Sequence, residues 1–153
     1  MDVTVFGQNK KELLSLIAPR LSHQKNGTVQ ADAGFHKTDG ILISDENVPE
    51  HGQKEILIIT GGSNRFFKRF PNACVVTCGM SSRDSVSCSS IGEARAVVSV
   101  VRELPIVSGG RVDVQDVCLA LKTPVSAERL SMAVAALLCA GLAPEEIVVH
   151  ALV

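Results

Sequence analysis

Apolar residues in the first half of the chain fall into short runs, most of them closed by glycine. Val3-Thr4-Val5-Phe6 is followed by Gly7, and Gly40 opens Ile41-Leu42-Ile43-Ser44. Glu55-Ile56-Leu57-Ile58-Ile59-Thr60 stops at Gly61-Gly62, and Ala73-Cys74-Val75-Val76-Thr77-Cys78 stops at Gly79. Continuous runs of this length predict strands of a parallel sheet covered on both faces. Between the first two runs, Leu13, Leu14, Ile17 and Leu21 recur at helical spacing, and Asn9 with Glu12 resembles a capping box. Pro19 supplies no backbone N–H and is expected to end or kink that helix. Residues Ser22 to Gly40 are polar and poorly periodic, with a turn signal at Asn26-Gly27. Asp45 to Lys54 is a polar loop containing Pro49 and Gly52.

The pattern changes after Gly79. Ser85-Val86-Ser87-Cys88-Ser89 alternates as a half-exposed strand should, and Arg95 to Arg102 is a Val-rich strand. Arg111 to Leu121 alternates and then slips phase at Asp116-Val117, where a bulge is expected. Three strands in succession predict an antiparallel section appended to the parallel sheet. The end is helical. Ser126 is placed to cap a helix with Glu128 in its first turn and Leu130, Val134, Leu137 and Leu138 on its apolar face. Gly141 suits the position after that helix, and Pro144 suits the first turn of a last one. The expected fold class is α/β: a mostly parallel, doubly wound sheet flanked by helices, with a small antiparallel section, in one domain over 1–153.

Composition narrows the function. The chain has 153 residues, no Trp, no Tyr and five Phe, so its core is aliphatic and the aromatic platforms for stacking bases are missing. The net charge is −1 at pH 7 and no basic block occurs, which argues against nucleic acid as a partner. The start, Met1-Asp2-Val3-Thr4, has no basic region followed by an apolar stretch, and no apolar run approaches the roughly 20 residues of a membrane span. A cytoplasmic protein without a membrane partner is expected. The five cysteines, Cys74, Cys78, Cys88, Cys118 and Cys139, form no C-x-x-C pair and are read as buried, inert thiols.

Ligands of open α/β sheets bind where parallel strands end at their carboxyl edge. Three glycine-bearing turns qualify, so the candidate ligand-binding residues are Gly7, Gln8, Asn9 and Lys10, then Gly61, Gly62, Ser63 and Asn64, then Gly79 and Ser81. No catalytic or metal-binding residue is assigned and no cofactor is expected. His23, His36, His51 and His150 are scattered without i, i+4 spacing. The serines at 81, 82, 85, 87, 89 and 90 lack a G-x-S-x-G elbow and read as strand and turn residues facing solvent. Asp45, Glu46 and Glu50 read as a solvated acidic loop.

Residues Ala73 to Leu152 resemble part of the central, ATP-binding domain of the Mur ligase family. The counterparts are Val76-Thr77-Cys78-Gly79, the strands from Ser85 to Leu121, the Ala-rich helix Ser126 to Ala140, and Gly141-Leu142-Ala143-Pro144-Glu145-Glu146-Ile147. A second segment, Val5 to Glu12, resembles the position of that family's phosphate loop, with Gly7, Asn9 and Lys10 as remnants. The second loop glycine, which lets backbone N–H groups wrap phosphates, is missing. Lys11 stands where the hydroxyl that holds Mg²⁺ belongs, and Glu12 adds negative charge. Pro124-Val125-Ser126 replaces the family's Gly-x-His-Asn entry to the helix. The resemblance therefore implies a scaffold whose ATP-dependent ligase activity is lost: a noncatalytic module acting through a protein partner or a small ligand. The alternative expectation is a small nucleotide- or anion-binding domain using the helix N-terminus at Gly7–Lys10.

Overall fold

The structure is a computed structural model that describes residues 2–7, 10–21, 28–31, 40–44, 54–60, 70–107 and 109–149. The chain opens with strand β1 (Asp2–Phe6), helix α1 (Lys10–Leu21) and strands β2 (Thr28–Ala31), β3 (Ile41–Ser44), β4 (Ile56–Thr60) and β5 (Cys74–Gly79). Strands β6 (Val86–Ile91), β7 (Arg95–Val100), β8 (Leu104–Pro105), β9 (Arg111–Val112) and β10 (Gln115–Ala120) follow, then helices α2 (Ala127–Cys139) and α3 (Pro144–Val149). An eight-stranded sheet runs in the order β10-β7-β6-β5-β4-β3-β1-β2, and β8 and β9 pair separately. From β2 to β6 every neighbouring pair is parallel; β7 is antiparallel to β6, and β10 to β7. The order 2-1-3-4-5 within the parallel part is one of the common doubly wound arrangements, with its switch point between β1 and β3.

Alternation along each strand sorts the side chains into two layers. Val3, Val5, Ile41, Ile43, Ile56, Ile58, Val76 and Cys78 join the large core cluster with the buried residues of α1 and α2. Both helices lie on this face: α1 packs on β1, β2 and α2, and α2 packs across β3, β4, β5, β6 and β7. The opposite face of β3 and β4 carries a second, smaller cluster of Leu42, Leu57, Ile59 and Phe70, with Phe6 and Ala73 against it. Each of these aliphatic side chains contributes about 1.5–3 kcal/mol by leaving water. Apart from Ser131, whose Oγ donates to Ala127 O at 2.9 Å, helix α2 is apolar around its whole circumference from Leu130 to Cys139, and it is buried accordingly. Ser126 Oγ accepts from Arg129 N–H at its start, 3.3 Å apart. At its end Gly141 N–H donates to Leu138 O and Leu142 N–H to Leu137 O, the paired bonds that close a helix.

Several expectations need correction. Pro19 does not end α1, which continues to Leu21. Only one turn-forming N–H is lost so close to the terminus, and the Arg20 guanidinium donates to Leu16 O at 2.9 Å. The polar stretch Ser22–Gly40 contains β2, which pairs parallel with β1. The phase slip in 111–121 is not a bulge. The chain leaves β9 at Asp113-Val114 and starts β10 as a new strand in unbroken register with β7. The bulge lies instead in β6, between Cys88 and Ser90. Cys74 and Cys118 are exposed, whereas Cys78, Cys88 and Cys139 are buried. Ser85 and Ser87 are buried, unlike the exposed Ser81, Ser82, Ser89 and Ser90. His23, His36, His51, His150, Asp45, Glu46 and Glu50 lie outside the described residues.

Candidate functional site

The carboxyl edge of the parallel strands is where the three glycine turns were placed, and the register brings the strand ends together there. Phe6 sits beside Ser44, Ser44 beside Ile59, Thr60 beside Cys78, and Gly79 beside Ser87. Gly7 and Gly79 therefore open on the same edge of one sheet. They are not neighbours: β3 and β4 stand between β1 and β5, and Ser44, which sequence reasoning did not select, ends the strand next to Gly7. Gln8, Asn9, Gly61, Gly62, Ser63 and Asn64 lie outside the described residues.

Gly7-Gln8-Asn9 alone join β1 to α1. Lys10 N–H points back along this turn and donates to Gly7 O at 3.4 Å, so the first helical N–H is engaged within the turn. Two residues further, Glu12 forms an ion pair with Arg129 near the start of α2. The carboxylate reaches Arg129 because α1 and α2 pack side by side on one face. The pair is about one-third exposed on each side, so it ties two helix starts together without a large energy.

At the other end of the edge, Gly79 does not lead into a helix. Parallel strands are usually joined by a crossover of a dozen or more residues. Here Met80 to Ser85 suffice, because β6 begins opposite the last residues of β5, Cys78 beside Val86, and the chain only sidesteps one strand spacing. The sidestep is fixed by hydrogen bonds. Ser85 N–H donates to Thr77 O at 2.9 Å and Asp84 N–H to Ser81 O at 3.0 Å. Asp84, 5% exposed, turns its carboxylate inward, and Oδ2 accepts from Ser81 N–H at 3.1 Å. A Cβ on Gly79 would overlap that oxygen, so any larger residue here displaces the Asp84 carboxylate. Gly79 and Ser81 thus hold a carboxylate of their own chain. Neither Asp84 nor Arg129 stood out in the sequence, since a charge in a polar loop or a helix's first turn reads as solvated.

Beyond this edge, β6, β7 and β10 show solvent a row of small polar side chains. Ser89 Oγ and Ser99 Oγ are 3.0 Å apart, and Ser99 Oγ donates to Asp116 Oδ1 at 2.7 Å. Among the described residues no group of three or more His, Cys, Asp or Glu is placed to hold a metal ion, and no helix is long and apolar enough to cross a membrane. No family model and no curated protein matches the chain.

Proposed function

We propose that this chain is a noncatalytic Mur-ligase-like module that acts through a protein partner or a small ligand, its ATP-dependent ligase chemistry lost. The observation that carries this reading is the internal use of the polar groups at the sheet's carboxyl edge. Lys10 N–H is engaged by Gly7 O, Glu12 by Arg129, and Ser81 N–H by Asp84. A triphosphate cradle at the Gly7–Lys10 turn needs free backbone donors, and the first of these is taken by Gly7 O; at the separate Gly79 turn, with β3 and β4 between, the buried Asp84 carboxylate disfavours an anion. The element order adds support for the scaffold: β5 ending in Thr77-Cys78-Gly79, an antiparallel section, the Ala-rich α2, and the Gly141–Ile147 turn into α3 follow one another as the resemblance implies. Scaffold without site chemistry does not inherit activity.

A second reading rests on the place of α1. Its N-terminus lies at the carboxyl end of β1, beside the switch point between β1 and β3, where a single anionic group can be met by helix N–H groups and by Lys10 and Lys11. Calorimetric titration with Mg-ATP, UDP-sugars, dinucleotides and inorganic phosphate distinguishes the two. The first reading expects no heat from the nucleotides and no ADP when ATP, an amino acid and a carboxylate acceptor are supplied together. Amide formation coupled to ADP release would overturn it. Saturable binding of phosphate or nucleotide without turnover, abolished by Lys10→Ala, would replace it with the second.

A further inference from the structure

The sheet ends on one side at β10, and the outer row of that strand has no partner among the described residues. Leu121 N–H donates to Ala94 O at 2.8 Å, and the register with β7 is unbroken from Gln115 to Ala120. In an antiparallel ladder the bonded residues alternate, so Gln115, Val117 and Leu119 turn their N–H and C=O groups to β7. Asp116, Cys118 and Ala120 then present theirs outward. Their side chains are exposed, whereas Val117, Leu119 and Leu121 are buried on the helical face. Sheet edges are normally protected by charges, above all lysine, by proline, by a bulge or by a covering element. Gln115–Ala120 has no lysine, proline or bulge, its one charge is Asp116, and α3 packs against β10, whose buried side chains lie on the helical face.

The strand is also complementary to itself. An antiparallel copy must bring outward residues opposite outward residues, which permits a register centred on Cys118 or one centred on Leu119. The first sets Gln115 against the partner's Leu121 and Asp116 against the partner's Ala120. The second sets Val117 against the partner's Leu121, Leu119 against the partner's Leu119, and Asp116 against the partner's Lys122. It keeps the buried apolar row continuous across the junction and places opposite charges at both ends, Asp116 and Lys122 being exposed. A two-fold axis makes each favourable pair occur twice.

We propose that β10 is a self-association edge, on which a second copy of this chain adds its own β10 antiparallel about a two-fold axis at Leu119. The inference is independent of the functional reading above. Paired strands extend the sheet across the two copies, with main-chain hydrogen bonds supplying the affinity and the Asp116–Lys122 pairs selecting the register.

Sedimentation equilibrium of the full chain under reducing conditions tests the association, and a cross-link tests the register. A reversible dimer is expected at high micromolar protein. In the proposed register Cys118 lies opposite the partner's Ala120 in a bonded pair with Cα atoms about 5.5 Å apart, inside the range a disulfide spans. Ala120→Cys should therefore give a disulfide-linked dimer on mild oxidation with oxidised glutathione, abolished when Cys118→Ser is added. Asp116→Lys should weaken the dimer several-fold, and combining it with Lys122→Asp should restore it. All of these positions are exposed, so folding is retained and is checked by the melting curve. A monomer at every concentration overturns the proposal. So does a dimer indifferent to Asp116→Lys, or one in which Ala120→Cys fails to cross-link.

Discussion

Gly79 and Asp84 show how a single side chain decides what a strand end can do. The missing Cβ opens the space that the Asp84 carboxylate fills, and that carboxylate satisfies Ser81 N–H inside the sidestep from β5 to β6. Gly79→Ala forces either the carboxylate or the strand to move, a cost of about 1–3 kcal/mol for overpacking. Asp84→Ala vacates the same space but leaves Ser81 N–H without its acceptor, at a similar cost of roughly 1–3 kcal/mol. The two substitutions should couple: once the carboxylate is gone, the extra methyl group has room. Urea denaturation of both single variants and the double variant should give a double-variant loss smaller than the sum by about 0.5–3 kcal/mol. Simple additivity would mean that glycine at 79 answers to something other than Asp84. In the sequence this residue pair was half legible. Gly79 marked the end of a strand, but nothing in Met80-Ser81-Ser82-Arg83-Asp84 distinguishes a buried carboxylate from a solvated one. Its burial follows from where β6 begins, which is a property of the sheet.

At the scale of elements, the contact between α2 and β5 buries two thiols, and this gives stability a dependence on alkaline pH. Burial pushes the Cys139 thiol up to about 12 from an ordinary value near 9, with Cys74 adding a smaller push. Cys78 is raised well above its ordinary value, first by burial and then by Cys139, Asp84 and Glu128. The folded state keeps both protonated, while the unfolded chain ionises them near 9. Their contribution is therefore fully present below about 9 and, for Cys139, is lost as pH rises toward about 12. The loss is about 1.4 kcal/mol per pH unit for each thiol over that window. No Tyr titrates in the same range, since the chain has none. Urea midpoints measured in reductant at increasing pH should fall, and Cys139→Ala should flatten the fall by about one thiol's share. Equal slopes for the two proteins would refute the assignment. Helix α2 itself was legible from end to end, because Ser126, the Leu130–Leu138 face and Gly141 are local signals. Strand β2 was not: in Thr28-Val29-Gln30-Ala31 only Val29 is strongly apolar, and its place comes from pairing with β1. The break between β9 and β10 was misread for a related reason. A change of strand and a bulge shift the apolar phase alike, and only the partner strands tell them apart.

For the molecule as a whole, the two halves of the sheet are held in different ways. Strands β3 and β4 are covered on both faces, by α2 and the large cluster on one side and by Leu42, Leu57, Ile59 and Phe70 on the other. Strands β6, β7 and β10 bury their apolar side chains on the helical face; apart from the buried Ser87, their other face shows Ser89, Ser99 and Asp116 to solvent. Opening β3 or β4 breaks both layers at once and so requires global unfolding, which costs about 5–15 kcal/mol in a domain of this kind. Opening β10 exposes one apolar row and breaks one ladder. Native-state hydrogen exchange at low protein concentration should rank the sheet accordingly. The amides of Leu42, Ile43, Leu57 and Ile58 should exchange slowest, near the global limit, and β10 should exchange through a smaller opening. Within β10 the rates should alternate, with Val117 and Leu119 protected by β7 and Asp116, Cys118 and Ala120 exchanging close to the rate of an unstructured chain. Uniform protection along β10 would mean that its outer row is already covered in the monomer, which would remove the free edge. Faster exchange in β3 and β4 than in β7 would place the stabilising core in the antiparallel section, against the two-layer arrangement described for the parallel strands.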